Sequence, residues 1–171
     1  MAVLLALAFG AQCAAPWLLA GFERDVRAIG QGQVYRLFTA LWFQDGGLGG
    51  AIFNLATLLV VGSLAEMMWR RRDWLFIYFG TGLAIELLAL WWQPAGAGNS
   101  IANFGLVGAL LMPPARRDRQ IVLLLVQIVG LGAGVALALS HDIHGAALLL
   151  GAGLGRILSR SRPPINSAVE V

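Results

Sequence analysis

Two residues of this 171-residue chain carry chemistry that the sequence brings together, Ser100 and His144. A serine hydroxyl alone is too weak a nucleophile to attack an amide, and a histidine that accepts its proton is the least equipment that changes this. Ser100 opens one apolar stretch and His144 opens another. If both stretches start from the same side of a membrane, the two side chains lie at similar depth. His141, three residues earlier and nearly on the same helical face, is a rival base. Asp142 could orient a histidine, but it reads first as a helix N-cap or first-turn carboxylate, so no triad is expected. The plain alternative is that the serine is a small packing residue and the histidine an interfacial one.

The elements that must position this pair are membrane spans. The chain is 58% apolar and 12% charged, with a mean hydropathy of +0.75. A soluble core would alternate apolar and polar faces, whereas here apolar runs near span length follow one another with short polar or Arg-rich breaks. The expected fold is an all-α integral membrane protein, a six-helix transmembrane bundle forming a single domain over residues 1–171. Its spans are 2–20, 49–69, 74–93, 100–113, 120–139 and 143–159. The fourth is shorter than the ~20 residues that cross the hydrocarbon, so it should begin below the surface in a wet, protein-lined recess.

All twelve basic residues are arginine, and nine fall in three clusters: Arg70 to Arg72; Arg116, Arg117 and Arg119; Arg156, Arg160 and Arg162. Six spans put all three clusters on one side, which the positive-inside rule makes cytoplasmic, with both termini there. This arrangement suits a bacterial inner membrane. The pI near 10 reflects these span-end clusters and not a nucleic-acid surface. Residues 21–48, 93–99 and 140–142 then lie outside, and the long, aromatic-rich first loop is expected to fold against the membrane interface. Pro16, Pro94, Pro113 and Pro114 stand near span ends, where a missing backbone donor does least harm. Cys13 has no partner in the chain, so no disulfide is expected.

Small residues equip the fourth and sixth spans for close approach: Gly105, Gly108 and Ala109 on one, Gly151, Gly153 and Gly155 on the other, with Gly151 and Gly155 four apart. Glu86, a carboxylate within a span, is a functional suspect by cost alone, but a structural role is the favoured reading, with the group either protonated or bonded to a neighbouring helix. Glu66 is expected to pair with an arginine of the 70–72 cluster, and Asn103 to bond across helices.

The string Gly98-Asn99-Ser100-Ile101-Ala102-Asn103-Phe104-Gly105-Leu106-Val107-Gly108-Ala109 resembles the Gly-x-Ser-Gly-x-x-x-Gly-x-x-Gly segment of rhomboid intramembrane serine proteases. His144, Ala147 and Gly151 resemble that family's His-x-x-Gly-x-x-x-Gly segment. Tyr35-Arg36 is similar to its Trp-Arg loop element, Phe53-Asn54 to the end of its His-x-x-x-Asn element, and Gly62-x-x-x-Glu66 matches its second helix. The resemblance covers about residues 33–158. It implies a serine endopeptidase that cuts transmembrane substrates, with Ser100 as nucleophile, His144 as general base and no third carboxylate. It also implies Asn54 as an oxyanion donor, with Asn99 as a further candidate.

The chain departs from the pattern at three places. Gly50 stands where the family has an oxyanion histidine, Ile101 where it has the glycine after the nucleophile, and Phe104 where a tyrosine often packs on the base. These departures keep open an inactive relative that binds transmembrane helices. A small transporter built around Glu86 is a third reading, without an inverted repeat to support it. The expected partners are membrane lipid and transmembrane proteins, with no nucleic acid; no cofactor and no metal is expected, since two histidines and one cysteine make a poor ligand set.

Overall fold

Helices occupy each of the apolar stretches in the computed structural model, which describes residues 1–112 and 120–160. They are α1 (Ala2–Ala14), α5 (Gly47–Met68), α6 (Arg71–Trp92), α7 (Ser100–Leu110), α8 (Gln120–Leu139) and α9 (Ile143–Arg160). Between the first two lie short elements: α2 (Trp17–Phe22), strand β1 (Arg24–Asp25), α3 (Val26–Gly30) and α4 (Arg36–Thr39); strand β2 (Ala95–Gly96) precedes α7. The expectations for Pro113, Pro114, Arg116, Arg117, Arg119 and Arg162 lie outside the described residues.

The architecture is that of an all-α integral membrane protein. Among the described residues, the helical stretches Gly47–Met68, Arg71–Trp92 and Ile121–Leu139 are long and apolar enough to cross a bilayer. α8 turns Ile121, Val122, Val129 and Leu139 outward, a surface that suits hydrocarbon and not water.

The first expected span breaks before its end. Proline lacks a backbone donor and pushes the preceding residue out of the helical region. Ala15 accordingly sits at φ −137° and ψ 80°, and the chain restarts as α2 behind Pro16. The first loop is also more ordered than a segment merely laid on an interface. β1 pairs antiparallel with β2, Arg24 opposite Gly96 and Asp25 opposite Ala95. Buried Arg36 donates Nη1 to the carbonyls of Ala20 and Glu23 at 2.9 and 3.0 Å, pinning the loop onto itself.

α7 is the central element, packed by α5, α6 and α9. Its approach to α9 depends on missing side chains. A Cβ on Gly108 would collide with the Leu148 carbonyl, one on Gly151 with the Gly105 carbonyl, and one on Gly155 would lie 2.7 Å from Ala109 Cα. Gly153 differs: nothing lies within 4 Å of where its Cβ would be, so it takes no part in the contact. At the far end Ser159 Oγ donates to the Met112 carbonyl at 2.8 Å, so α7 and α9 run in the same direction with Ser100 and His144 at their shared start.

Candidate active site

The three-residue turn between α8 and α9 ends one helix and begins the next. His141 adopts a left-handed conformation, φ 59°. Its amide donates to Ala138 O at 3.0 Å, and the Asp142 amide donates to Leu137 O at 3.0 Å, the pair of bonds that closes a helix through a left-handed residue. Asp142 then caps α9: its Oδ1 accepts the His144 backbone N–H at 2.9 Å. The same oxygen lies 2.7 Å from His144 Nδ1. On the other edge of the ring, His144 Nε2 lies 2.9 Å from Ser100 Oγ.

Phe104, one turn along α7 from Ser100, packs its ring 4.9 Å from that of His144. The histidine and aspartate side chains keep 30% and 36% of their surface exposed. Burial raises the Asp142 carboxyl, but the backbone bond, side-chain bond and charge of His144 outweigh it, so the group titrates below the ordinary aspartate range.

Behind the serine lies a network of buried amides. Asn54 Nδ2 donates to Gln44 Oε1 at 2.7 Å, and Gln44 Nε2 donates to Asn99 Oδ1 at 2.9 Å. Asn99 Nδ2 continues to Asn103 Oδ1 at 3.1 Å, and Asn103 Nδ2 closes the ring on Asn54 O at 2.9 Å. Gln12 of α1 clamps the Gln44 backbone from the other side, donating to its carbonyl at 2.7 Å and accepting its amide at 2.9 Å. Each polar group left unmet in such a site would cost about 1–3 kcal/mol, which is why the amides satisfy one another.

Gly98 lies between this network and the serine, in a backbone conformation that favours glycine. Its φ is +155°, and a Cβ there would stand 3.5 Å from Asn54 Nδ2, 3.6 Å from Ser100 Oγ and 3.7 Å from Gln44 Oε1. Its amide donates to Ala40 O at 2.9 Å, tying the approach to α7 onto the first loop.

A cavity of about 340 Å³ opens in front of the pair, walled by Phe53 and Asn54 of α5, Phe104 of α7 and Leu137 of α8. α5 and α8 barely touch each other. A smaller polar recess of about 100 Å³ lies on the other side of Ser100 and His144, beside Arg24, Asp45 and Glu86.

Against the expectations, the geometry sorts the residues clearly. Ser100, His144 and Asn54 gather at the cavity. Asn99 is 0% exposed, and its amide is taken up by Gln44 and Asn103. His141 rests its ring on Trp92, centroids 5.2 Å apart, leaving the serine to His144. Ile101 is buried among apolar residues that include Leu41, Ile85 and Ala147, so its bulk goes into the core. Gly50 has no side chain to donate, and among the described residues no other segment comes within 4 Å of a Cβ built there. Glu86 bonds the loop residue Arg24, and Asn103 bonds α5.

One expectation needs correction. Glu66 is exposed and, among the described residues, forms no ion pair with the Arg70 to Arg72 cluster, because it ends α5 facing outward. Asp142 caps α9 as expected, and its carboxylate also meets the imidazole. The sequence reading missed Gln12 and Gln44; their signal was an uncharged amide in an otherwise apolar setting, which must find partners when buried.

The Rhomboid domain family model matches residues 31–161 of the chain. A comparison with curated proteins finds no match.

Proposed function

The chain belongs to the rhomboid family, and from that premise we propose that it is an intramembrane serine endopeptidase working through Ser100 and His144. The observation that carries the reading is the 2.9 Å contact between Ser100 Oγ and His144 Nε2 at the mouth of a cavity between α5 and α8. In this reading His144 Nε2 takes the hydroxyl proton as Ser100 Oγ attacks the scissile carbonyl carbon. The developing oxyanion is met by the second hydrogen of Asn54 Nδ2 and by the Ser100 backbone N–H, while Asn99 serves to hold Asn54 through Gln44. Collapse of the intermediate expels the amine, which collects its proton from His144, and water then hydrolyses the acyl-enzyme by the same route.

Substrates are transmembrane proteins whose helix unwinds locally, because a backbone locked in helical hydrogen bonds offers no free carbonyl. The bundle forms one domain of six spans in lipid, with both termini cytoplasmic in a bacterial inner membrane. Support for that orientation is the exposure of Arg70, Arg71, Arg72, Arg156 and Arg160 at the end of the bundle away from Ser100.

Gly50, with no side chain to donate where the family has a histidine, favours a second reading, an inactive relative that binds transmembrane helices. Labelling of the detergent-solubilised protein with a fluorophosphonate serine probe separates the two. The protease reading expects labelling of the wild type that disappears in Ser100→Ala and His144→Ala. A folded wild type that stays unlabelled overturns it in favour of helix binding.

A further inference from the structure

We propose that Asp142 is the positioning residue of this site: it holds the His144 ring in the orientation and tautomer in which Nε2 can receive the Ser100 proton. The inference rests on the protease reading for its consequence, but its geometry is independent of it. One oxygen, Asp142 Oδ1, lies 2.9 Å from the His144 backbone nitrogen and 2.7 Å from the ring Nδ1. An ionised carboxylate only accepts hydrogen bonds, so the ring proton belongs on Nδ1 and the lone pair on Nε2. That lone pair faces Ser100 Oγ at 2.9 Å. The opposite tautomer would set the Nδ1 lone pair against a carboxylate oxygen and aim an N–H at the nucleophile.

The arrangement is built by the local chain. The left-handed turn at His141 swings Asp142 over the start of α9, and the bond to the backbone N–H then fixes the carboxylate two residues from the ring it orients. Phe104 supports the ring with centroids 4.9 Å apart, limiting its rotation. During attack the Ser100 proton passes to Nε2 and the electron pair of the O–H bond forms the new bond to carbon. The imidazolium that results keeps its Nδ1 proton and is stabilised by the adjacent charge, while Asp142 stays ionised throughout.

A cap alone demands less. Serine or asparagine would satisfy the His144 backbone N–H as well as aspartate does. Asp142→Ser retains the cap but is too short to meet the ring, and Asp142→Asn retains cap and volume but removes the charge.

The test uses the full chain in detergent, with two readouts. Fluorophosphonate labelling rates are compared in wild type, Asp142→Ser and Asp142→Asn. Nitrogen NMR of 15N-histidine protein is recorded in a His141→Asn background, which leaves one histidine and a residue that tolerates the left-handed turn. The expected result is Nδ1 protonated and Nε2 bare in the Asp142 protein, loss of that state in Asp142→Ser, and labelling slower by about 10²- to 10⁴-fold. Wild-type labelling in Asp142→Ser, or an Nδ1 proton that survives the substitution, overturns the proposal. Should Asp142→Ser fail to fold, Asp142→Asn decides, with labelling within twofold of wild type counting against positioning. If the Asp142 protein itself is unlabelled, the protease reading fails alone, and the tautomer comparison still decides whether Asp142 positions the ring.

Discussion

Arg24 Nη1 and Glu86 Oε2 form a hydrogen-bonded ion pair 2.6 Å apart, with side-chain exposures of only 3% and 1%. Arg24 also donates to Gln93 O at 2.9 Å and Ala95 O at 3.3 Å. The pair therefore ties the first loop to α6 and to the strand that leads into Ser100. Two ions removed from water repay their desolvation only when both are fully bonded, so the arrangement is costly to break from one side.

Arg24→Ala is expected to lower unfolding stability by about 3–5 kcal/mol, since it leaves a buried carboxylate alone. Adding Glu86→Leu should return a large part of the loss. Unfolding of both variants in detergent measures this, and an Arg24→Ala protein as stable as wild type would rule out a structural pair.

The two asparagines should separate by phenotype. Asn54→Ala is expected to cost about 10²- to 10³-fold in kcat with little change in KM, the effect of losing one oxyanion donor. Asn99→Ala should instead cost about 1–3 kcal/mol of stability, because it strands Gln44 Nε2 and Asn103 Oδ1 inside the bundle. Equal catalytic losses, with equal folding, would refute the division of roles.

Glycines four residues apart on the same helix should respond differently from the one between them. Gly151→Val pushes a side chain into the Gly105 backbone and is expected to destabilise by at least 1–3 kcal/mol while abolishing labelling of Ser100. Gly153→Ala meets nothing within 4 Å and should stabilise by up to about 1 kcal/mol through helix propensity. A thermal melt of each tests the pair, and similar melts would argue against the close α7–α9 contact.

Acid should remove the contribution of Asp142. Its carboxyl titrates lower in the folded protein than in the unfolded chain, so the folded state gains stability above the ordinary aspartate value of about 3.9. That gain is lost as the pH falls through the lowered value. The stability difference between wild type and Asp142→Asn is expected at neutral pH and should shrink below about pH 4. A difference that persists at acid pH would mean the ionised carboxylate is not its source.

Much of the site was legible before the fold. Ser100 and His144 are polar residues at the mouths of apolar stretches, and their companions at helical spacing, Phe104 and Gly108 four and eight residues on and Gly151 and Gly155 seven and eleven residues on, mark the faces along which those stretches meet. Asn103 was legible as a residue that bonds across helices, because hydrocarbon leaves a buried polar group no other partner, and Glu86 as a costly carboxylate, either protonated or bonded. The partner of Glu86 was not legible, since Arg24 is 62 residues away and arrives there through a strand pair of two residues each.

The sequence by itself determined which segments are apolar helices, because that depends on the hydropathy of each stretch, whereas the break of the first expected span at Pro16 came with the structure. It also determined that α7 and α9 approach closely, because small residues recur at the helical spacing. Tertiary structure decided the rest: that His144 and not His141 faces Ser100, that Asn54 faces the cavity while Asn99 is sealed behind it, and that Asp142 Oδ1 meets the imidazole. These choices turn on the direction of single side chains over a few ångströms. The left-handed turn at His141 and the amide network around Gln44 fix those directions, and both exist only once α5, α7, α8 and α9 have packed.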